Sequence, residues 1–492
     1  MLTRRGFLIG SAAVAACRKV PTVSSIPRLT HGLQVGDVES GRALVWARAN
    51  EASRLIVEWD TTDKFETARV VAGNVVTPDT GLATTLVIDG LPDGQTIFVR
   101  GRFEREAQRG ASDREIVHFQ TPRADKFRVA WTGDTCGQGY GRNPEFGGLV
   151  GYKAMREAQP AMWIHSGDMI YADNPIPAEM KVGDRVWKNV TNEHVARVAQ
   201  TLDDFRARYQ YTLDDEHARA LAGEVPIVAQ WDDHEIHNNW WPHQNLAAED
   251  NRYTIQPDAS VLASYARQAM MEWTPVPPGP VQRVIHYGPL LDIIVLDCRS
   301  FRTVNPVGTG DADMLGAQQV QWFIDAVTQS KARWKLIACD QPLSCVIGDG
   351  PDDSRNEGWA DGDAALHGGR ERELAKIFAG IRGHKNLVWI TADVHYAAAH
   401  HYDPTRATVT DFDPFHEFIV GPIHAGSFGP NKLDPTFGPD LKFQWAPDKQ
   451  NAAPWDGFQS FGTIDVSPEA LQCAIVGIDG KPRYTVDVPF TA

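Results

Sequence analysis

Two rhythms of apolar and polar positions divide the chain. Short alternating runs at residues 43–48, 54–59, 84–88 and 96–103 are separated by Gly, Pro and Asp turns. A period of two marks strands with one buried face, and this spacing predicts a β-sandwich over residues 28–122. After Thr121-Pro122-Arg123-Ala124-Asp125-Lys126 the rhythm changes. Apolar runs of strand length at 127–131, 161–165, 225–231, 290–296, 334–339 and 386–391 then alternate with helical patterns at about 148–158, 193–222, 258–272, 316–329 and 370–382. Such strands predict a sheet covered on both faces. Further strands recur over about 415–490, so residues 127–492 read as one α/β unit with a second sheet packed on the first.

The start of the chain is of another kind. Arg4-Arg5 precedes an apolar run rich in Gly and Ala that is too short to span a bilayer. It resembles a twin-arginine (Tat) export signal, and Val14-Ala15-Ala16-Cys17 resembles a lipobox. Residues 1–27 therefore read as leader and linker. The implied partner is the Tat machinery, the implied location the periplasm or cell envelope, and the only membrane contact a lipid anchor on Cys17.

Composition narrows the function. The 492 residues, 42% hydrophobic and 23% charged, suffice for substantial cores. A formal charge of −15 argues against sequence-independent nucleic-acid binding by counterion release, and no motif points to sequence-specific binding. With 15 Trp and 31 Pro, a loop-rich enzyme fits better than a helical bundle. Beyond Cys17 stand Cys136, Cys298, Cys339, Cys345 and Cys473; an odd number leaves at least one thiol unpaired, and Cys339 with Cys345 is one available pairing. Residues 348–369 are rich in Gly and Asp without the spacing of an EF-hand; they read as a surface loop, with calcium binding as the second reading.

The candidate chemistry stands at the ends of the apolar strands. The runs lead into Gly133-Asp134-Thr135-Cys136, Gly167-Asp168-Met169-Ile170-Tyr171, Asp232-Asp233-His234-Glu235, Asp340-Gln341-Pro342 and Asp393-Val394-His395. Ligands bind at the carboxyl edge of open α/β sheets. One Asp there is usually a cap or turn residue. Five on one edge repel one another unless cations neutralise them. No Walker loop and no His-x-His-x-Asp-His motif is present.

These segments resemble the motifs of calcineurin-like metallophosphoesterases: Asp-x-His, Gly-Asp-x-x-Asp/Tyr, Gly-Asn-His-Glu and Gly-His-x-His. The nearer resemblance is to the alkaline phosphatase D (PhoD-like) family, on Trp231-Asp232-Asp233-His234-Glu235, Asn238-Asn239-Trp240, Leu296-Asp297-Cys298-Arg299-Ser300-Phe301-Arg302 and the segment from Leu315 to Phe323. Two departures stand out. Asp134 restores a carboxylate where the family reads Ser-Cys, and Trp359-Ala360-Asp361-Gly362 lacks the family's Tyr. The resemblance implies a four-layer αββα sandwich preceded by an immunoglobulin/fibronectin-III-like domain, and an exported phosphoesterase with iron and calcium in a dinuclear or larger centre, Zn²⁺ or Mn²⁺ being alternatives.

The residue types assign roles within that implication. Asp168 can bridge two metals through its two oxygens. Asp134, Cys136 and Tyr171 join it, with Tyr211 a reserve phenolate; phenolate and thiolate suit Fe³⁺. Asp233, Asp393 and His395 complete the second metal's shell, and Asp340 is a weaker ligand. Two cations about 3.5 to 4 Å apart activate a water for in-line attack on phosphorus. His234 then acts as general acid, oriented by Asp232 or Glu235, and Asn239, Arg142 and His237 contact phosphate. A phospholipase-D-like phosphodiesterase is the nearest alternative, with phospholipid or another diester as substrate. A lipid-tethered binding protein with a degenerate site is the alternative of another class.

Overall fold

The computed structural model describes residues 26–105, 114–307, 310–350, 353–366 and 368–492. The leader read over 1–27 lies, up to residue 25, outside the described residues.

Two sheets face each other. The larger runs Pro482–Pro489, Ala470–Gly477, Ser460–Val466, Phe127–Thr132, Met162–Ser166, Ile227–Gln230, Leu29–Glu39, Arg42–Ala49, Ala83–Asp89. The other runs Arg283–Tyr287, Leu291–Val295, Trp334–Ala338, Leu387–Thr391, Phe415–Ile419, Ala397–Tyr402, Pro439–Trp445. Their facing sides share one apolar core, in which Val129, Ile164 and Ile464 meet Ile293, Leu336 and Ile390. Helices α1 (Val150–Glu157), α2 (Leu202–Leu213), α3 (Glu216–Glu224) and α4 (Ala259–Trp273) cover the outer face of the larger sheet, burying Met155, Phe205, Leu221 and Met270. Helices α5 (Gly316–Gln329) and α6 (Gly369–Ile381) cover the other sheet through Phe323, Leu374 and Phe378. The four layers are α, β, β, α, in agreement with the expected sandwich. The central strands carry apolar residues on both faces because both faces are covered.

Local chemistry sets several boundaries. The helical pattern over 193–222 is broken into α2 and α3: Thr201 and Asp204 form a capping box at the start of α2, and the Asp215 carboxylate accepts the amides of His217 and Ala218 at the start of α3. Among the described residues no helix is long and apolar enough to cross a membrane.

The N-terminal strands form two layers, but they do not stand apart. Ser53–Asp60, Arg69–Val76, Thr96–Glu104 and Glu115–Gln120 make one sheet, whereas Leu29–Glu39, Arg42–Ala49 and Ala83–Asp89 extend the larger sheet through the parallel pairing of Gly36 with Ile227. A Cβ on Gly36 would fall 2.4 Å from the Pro275 carbonyl and 3.0 Å from that of Ile227, so a glycine permits this junction. All five described cysteines are free; the pairing open to Cys339 and Cys345 is not made, and the Cys339 sulfur instead lies 3.7 Å from that of Cys298.

Candidate metal centre

Where the central strands end, the backbone turns into conformations that strands avoid. Asp134, Cys136, Asp168, Asn239, Asp393 and His395 have φ between 54° and 66°. Such left-handed backbone costs a non-glycine residue about 1 kcal/mol or more and persists only where the surroundings hold it. Here they do: the Thr135 amide donates to the Asp168 carbonyl at 2.8 Å, His424 to Asp134 at 3.1 Å and Ala392 to Asp340 at 2.9 Å.

The side chains converge. Ligand atoms of Asp134, Asp168 and His395 lie within 4.8 Å of one another, as do those of Asp168, Asp233 and His234, and those of Asp232, Asp233 and Asp393. Asp168 is common to the first two sets and Asp233 to the last two, so the sets form one continuous donor array. The Tyr171 hydroxyl joins it, 2.7 Å from His395 Nε2 and 3.3 Å from Asp134 Oδ1. His395 Nδ1 is 2.5 Å from the Gly426 carbonyl and must donate to it, which leaves the lone pair on Nε2, facing the array. Burial lowers the His395 pKa to about 3, so the ring is neutral and free to ligate.

Charge is the unresolved strain. Burial, and then the field of neighbouring carboxylates, pushes Asp134, Asp168, Asp233 and Asp393 above the usual carboxylate range. Buried oxygens of Asp134, Asp168 and Asp233 have no hydrogen-bond partner. Orphaned acceptors beside mutually repelling carboxyls fit cations, which would satisfy both at once.

The buried Arg299 partly balances them. It pairs with Asp232, lies 3.8 Å from Asp233 and reaches Glu357 Oε1 at 2.5 Å. Burial alone would raise the Asp232 pKa, but Arg299 pulls it below the usual range. Asp232 also accepts from Gln341 at 3.3 Å. Glu235 accepts the amides of Asp168, Met169 and Asp232 at 3.1, 2.6 and 2.8 Å. The orientation of His234, expected from Asp232 or Glu235, therefore falls to neither: Asp173 Oδ1 lies 2.7 Å from His234 Nδ1, and Asp173 Oδ2 accepts the Asn238 amide at 3.1 Å. The ring stacks on Tyr171 with centroids 4.2 Å apart. Burial would lower the His234 pKa, but Asp173, Asp233 and Asp232 outweigh it and raise it to about 9.

A family model described as PhoD-like phosphatase matches residues 129–475. The chain belongs to this family. A second family model, for the PhoD-like phosphatase N-terminal domain, matches residues 15–121. The chain is 24% identical over 442 residues to alkaline phosphatase D of Bacillus subtilis, covering 84% of this chain and 72% of that protein. Among solved structures, PhoD is similar with a TM-score of 0.69 and 20% identity, over 96% of this chain and 94% of that one. The purple acid phosphatase PPD1 from yellow lupin (Lupinus luteus) seeds has a TM-score of 0.60 and 12% identity, over 94% and 74%. This PhoD-like phosphatase is thus a hydrolase of phosphoric esters, with carboxylate and imidazole groups placed to bind metal.

Several expected positions are placed elsewhere in this PhoD-like chain. Cys136 joins none of the donor sets; it packs in the apolar cluster beneath the helices, where burial pushes its thiol up to about 12. Such burial favours the neutral thiol over the thiolate. Tyr211 is committed to backbone, accepting the Arg142 amide and donating to the Val190 carbonyl, each at 2.7 Å. Arg142 stacks on the Tyr211 ring, 4.5 Å from its centroid. His237 bonds the Asn238 carbonyl and faces Asp250 at 3.8 Å. Asp340 lies against Asp232 and Asp393 without joining a set. His395, expected with Asp233 and Asp393, sits instead with Asp134, Asp168 and Tyr171. Asn239 gives its amide to Asp233 Oδ2 at 2.5 Å and its side-chain nitrogen to Asp349 at 3.2 Å. Sequence reasoning assigns no role to Asp173, Arg299 or Glu357; a short polar residue two positions after Tyr171 is the one signal for Asp173.

Proposed function

We propose that this chain is an exported, metal-dependent phosphoesterase whose cations sit in two adjoining cages. Asp134, Asp168, Tyr171 and His395 would hold one, and Asp168, Asp233 and Asp393 the other, with Asp340 behind them. The donor types support Fe³⁺ in the first, where phenol and imidazole stand beside carboxylates, and Ca²⁺ in the second, where the assigned donors are carboxylates and the neighbouring His234 is kept for the leaving group. When bound, such a pair supplies a water of lowered pKa and offsets charge on phosphorus. The chain's own residues do the rest. Asp168 ties the two cages, His395 is held as the Nε2 ligand by Gly426, and Arg299 keeps Asp232 ionised and fixed. His234, with Nδ1 on Asp173, offers Nε2 to protonate the departing alkoxide. The observation that carries this reading is the sharing of Asp168 between two donor sets at the strand ends.

Comparing p-nitrophenyl phosphate with bis(p-nitrophenyl) phosphate on purified protein tests the reading. Hydrolysis of at least one by metal-replete protein and loss on chelation are expected. A preference above about tenfold for the diester would favour the phosphodiesterase alternative, including phospholipase-D-like activity on lipids, and failure to hydrolyse either would favour a degenerate binding protein.

Iron ligated by Tyr171 would colour the protein in the visible range. We expect Tyr171→Phe to bleach it and Cys136→Ala to leave it coloured; a fully active, colourless wild-type preparation would reject iron–phenolate ligation. Export rests on Arg4-Arg5 and the short apolar run after them. Replacing both arginines by Lys is expected to leave the protein in the cytoplasm on fractionation, and undiminished export would rule out the twin-arginine route.

A further inference from the structure

A second acidic cluster stands apart from the donor array. Asp361, Glu371 and Asp434 bring ligand oxygens within 4.8 Å of one another. Asp361 comes from the Gly- and Asp-rich stretch, Glu371 from the first turn of α6, and Asp434 from the loop after residue 430.

Acidic clusters are common, so what matters is whether anything inside this one lacks a partner. Asp434 is spoken for: its oxygens accept the amides of Thr436 at 2.7 Å and Gly362 at 2.8 Å. Asp361 accepts the amides of Asp363 and Gly368, each at 2.9 Å. Glu371 is different. It is 1% exposed, and neither of its buried carboxylate oxygens has a partner at hydrogen-bond geometry, although the Asp361 amide and the Thr436 hydroxyl stand nearby. The nearby Thr436 hydroxyl has one proton, which it gives to the Asp363 carbonyl at 3.0 Å. Lys432 donates to the Gly362 carbonyl at 3.0 Å, and among the described residues none of the three carboxylates has an ion-pair partner within 4.0 Å. A buried carboxylate with both oxygens orphaned and two more carboxylates around it must lose its charge or gain a cation.

We propose that Asp361, Glu371 and Asp434 form a calcium site separate from the catalytic centre. The donors are all oxygen, which selects a hard cation, and Ca²⁺ accepts the irregular, loop-built coordination that Mg²⁺ disfavours. Burial, reinforced by Asp434 and Asp361, raises the Glu371 pKa to about 9, the direction that a bound cation would reverse. The ion joins the loop at Asp361 and the start of α6, which are neighbours in the chain, to the distant loop at Asp434. One of them also reaches the active site: Asp349 bonds Asn239 at 3.2 Å, and Glu357 meets Arg299 at 2.5 Å. Calcium here ties the loop that carries these contacts to α6.

The alternative is a protonated Glu371, and Glu371→Gln separates the two because the amide imitates the neutral acid. Calcium per chain is counted by elemental analysis after equilibration with Ca²⁺ and gel filtration, and Tm is read with Ca²⁺ and with a chelator. We expect Glu371→Gln to bind one Ca²⁺ fewer than wild type. Its Tm gain from Ca²⁺ should be smaller by about 3 °C at a hundredfold excess over the dissociation constant. Iron content should not change, which keeps this test distinct from that of the catalytic cages. Should Glu371→Gln not fold, the half-exposed Asp361→Asn takes its place with the same expected loss. Equal calcium counts in wild type and variant, or a variant more stable than wild type and equally responsive to Ca²⁺, would overturn the proposal.

Discussion

Replacing Asp168 with Asn is expected to lower kcat/KM by at least about 10³, roughly 4 kcal/mol of barrier, with loss of bound metal. The reason is position. Asp168 is common to two donor sets, so its carboxylate serves both cages, and one of its buried oxygens has no other partner. The other accepts the His234 amide at 3.1 Å, a bond that Asn can keep through its carbonyl oxygen. The fold should therefore survive, and in the absence of metal its circular dichroism and Tm should stay near those of metal-free wild type or the Tm should rise as a buried carboxyl is neutralised. The decisive measurement pairs elemental analysis with kinetics on the same preparation. A variant that keeps its full metal content and more than about a tenth of the activity would show that Asp168 is not the shared ligand.

The second large effect is conditional on the leaving group. Removing His234 (His234→Ala) should slow alkyl phosphate esters by about 10² or more while costing p-nitrophenyl esters much less, since p-nitrophenolate departs without a proton. Equal losses on both classes would remove the general-acid role. Asp173 gives a finer check. With Asp173 present, the His234 pKa is raised to about 9, so the proton needed for catalysis is held below that pH and lost as pH rises through it. Asp173→Asn removes the strongest group raising that pKa and leaves burial, which lowers it. The alkaline limb of the kcat profile should shift by at least one unit toward lower pH. An unmoved limb would mean that another group titrates there or that bound cations dominate the ring.

Much of this was legible in the chain because it was local. Uniformly apolar runs ending in Asp announced both the buried strands and the edge where chemistry collects, and the observed strands Phe127–Thr132, Met162–Ser166 and Leu387–Thr391 lie within a residue of the expected bounds. The capping box at Thr201 and Asp204 was also written locally, yet the helical pattern read over 193–222 hid both this start of α2 and the break before α3. Cys136 is expected as a ligand on residue type, a thiolate suiting Fe³⁺, and residue type does not tell that its side chain packs among apolar neighbours.

Residue type and short-range pattern were sufficient for the fold class, the family resemblance and the acidic strand ends, since each depends on neighbours within a few positions. Partnership across the fold was not available to them. That Asp173 rather than Glu235 holds His234, that Arg299 pairs with Asp232, and that strands Ser460–Val466 and Leu29–Glu39 lie in one sheet all depend on contacts between segments tens to hundreds of residues apart. Packing chooses such pairs through shape and desolvation, and neither is expressed until the chain has folded.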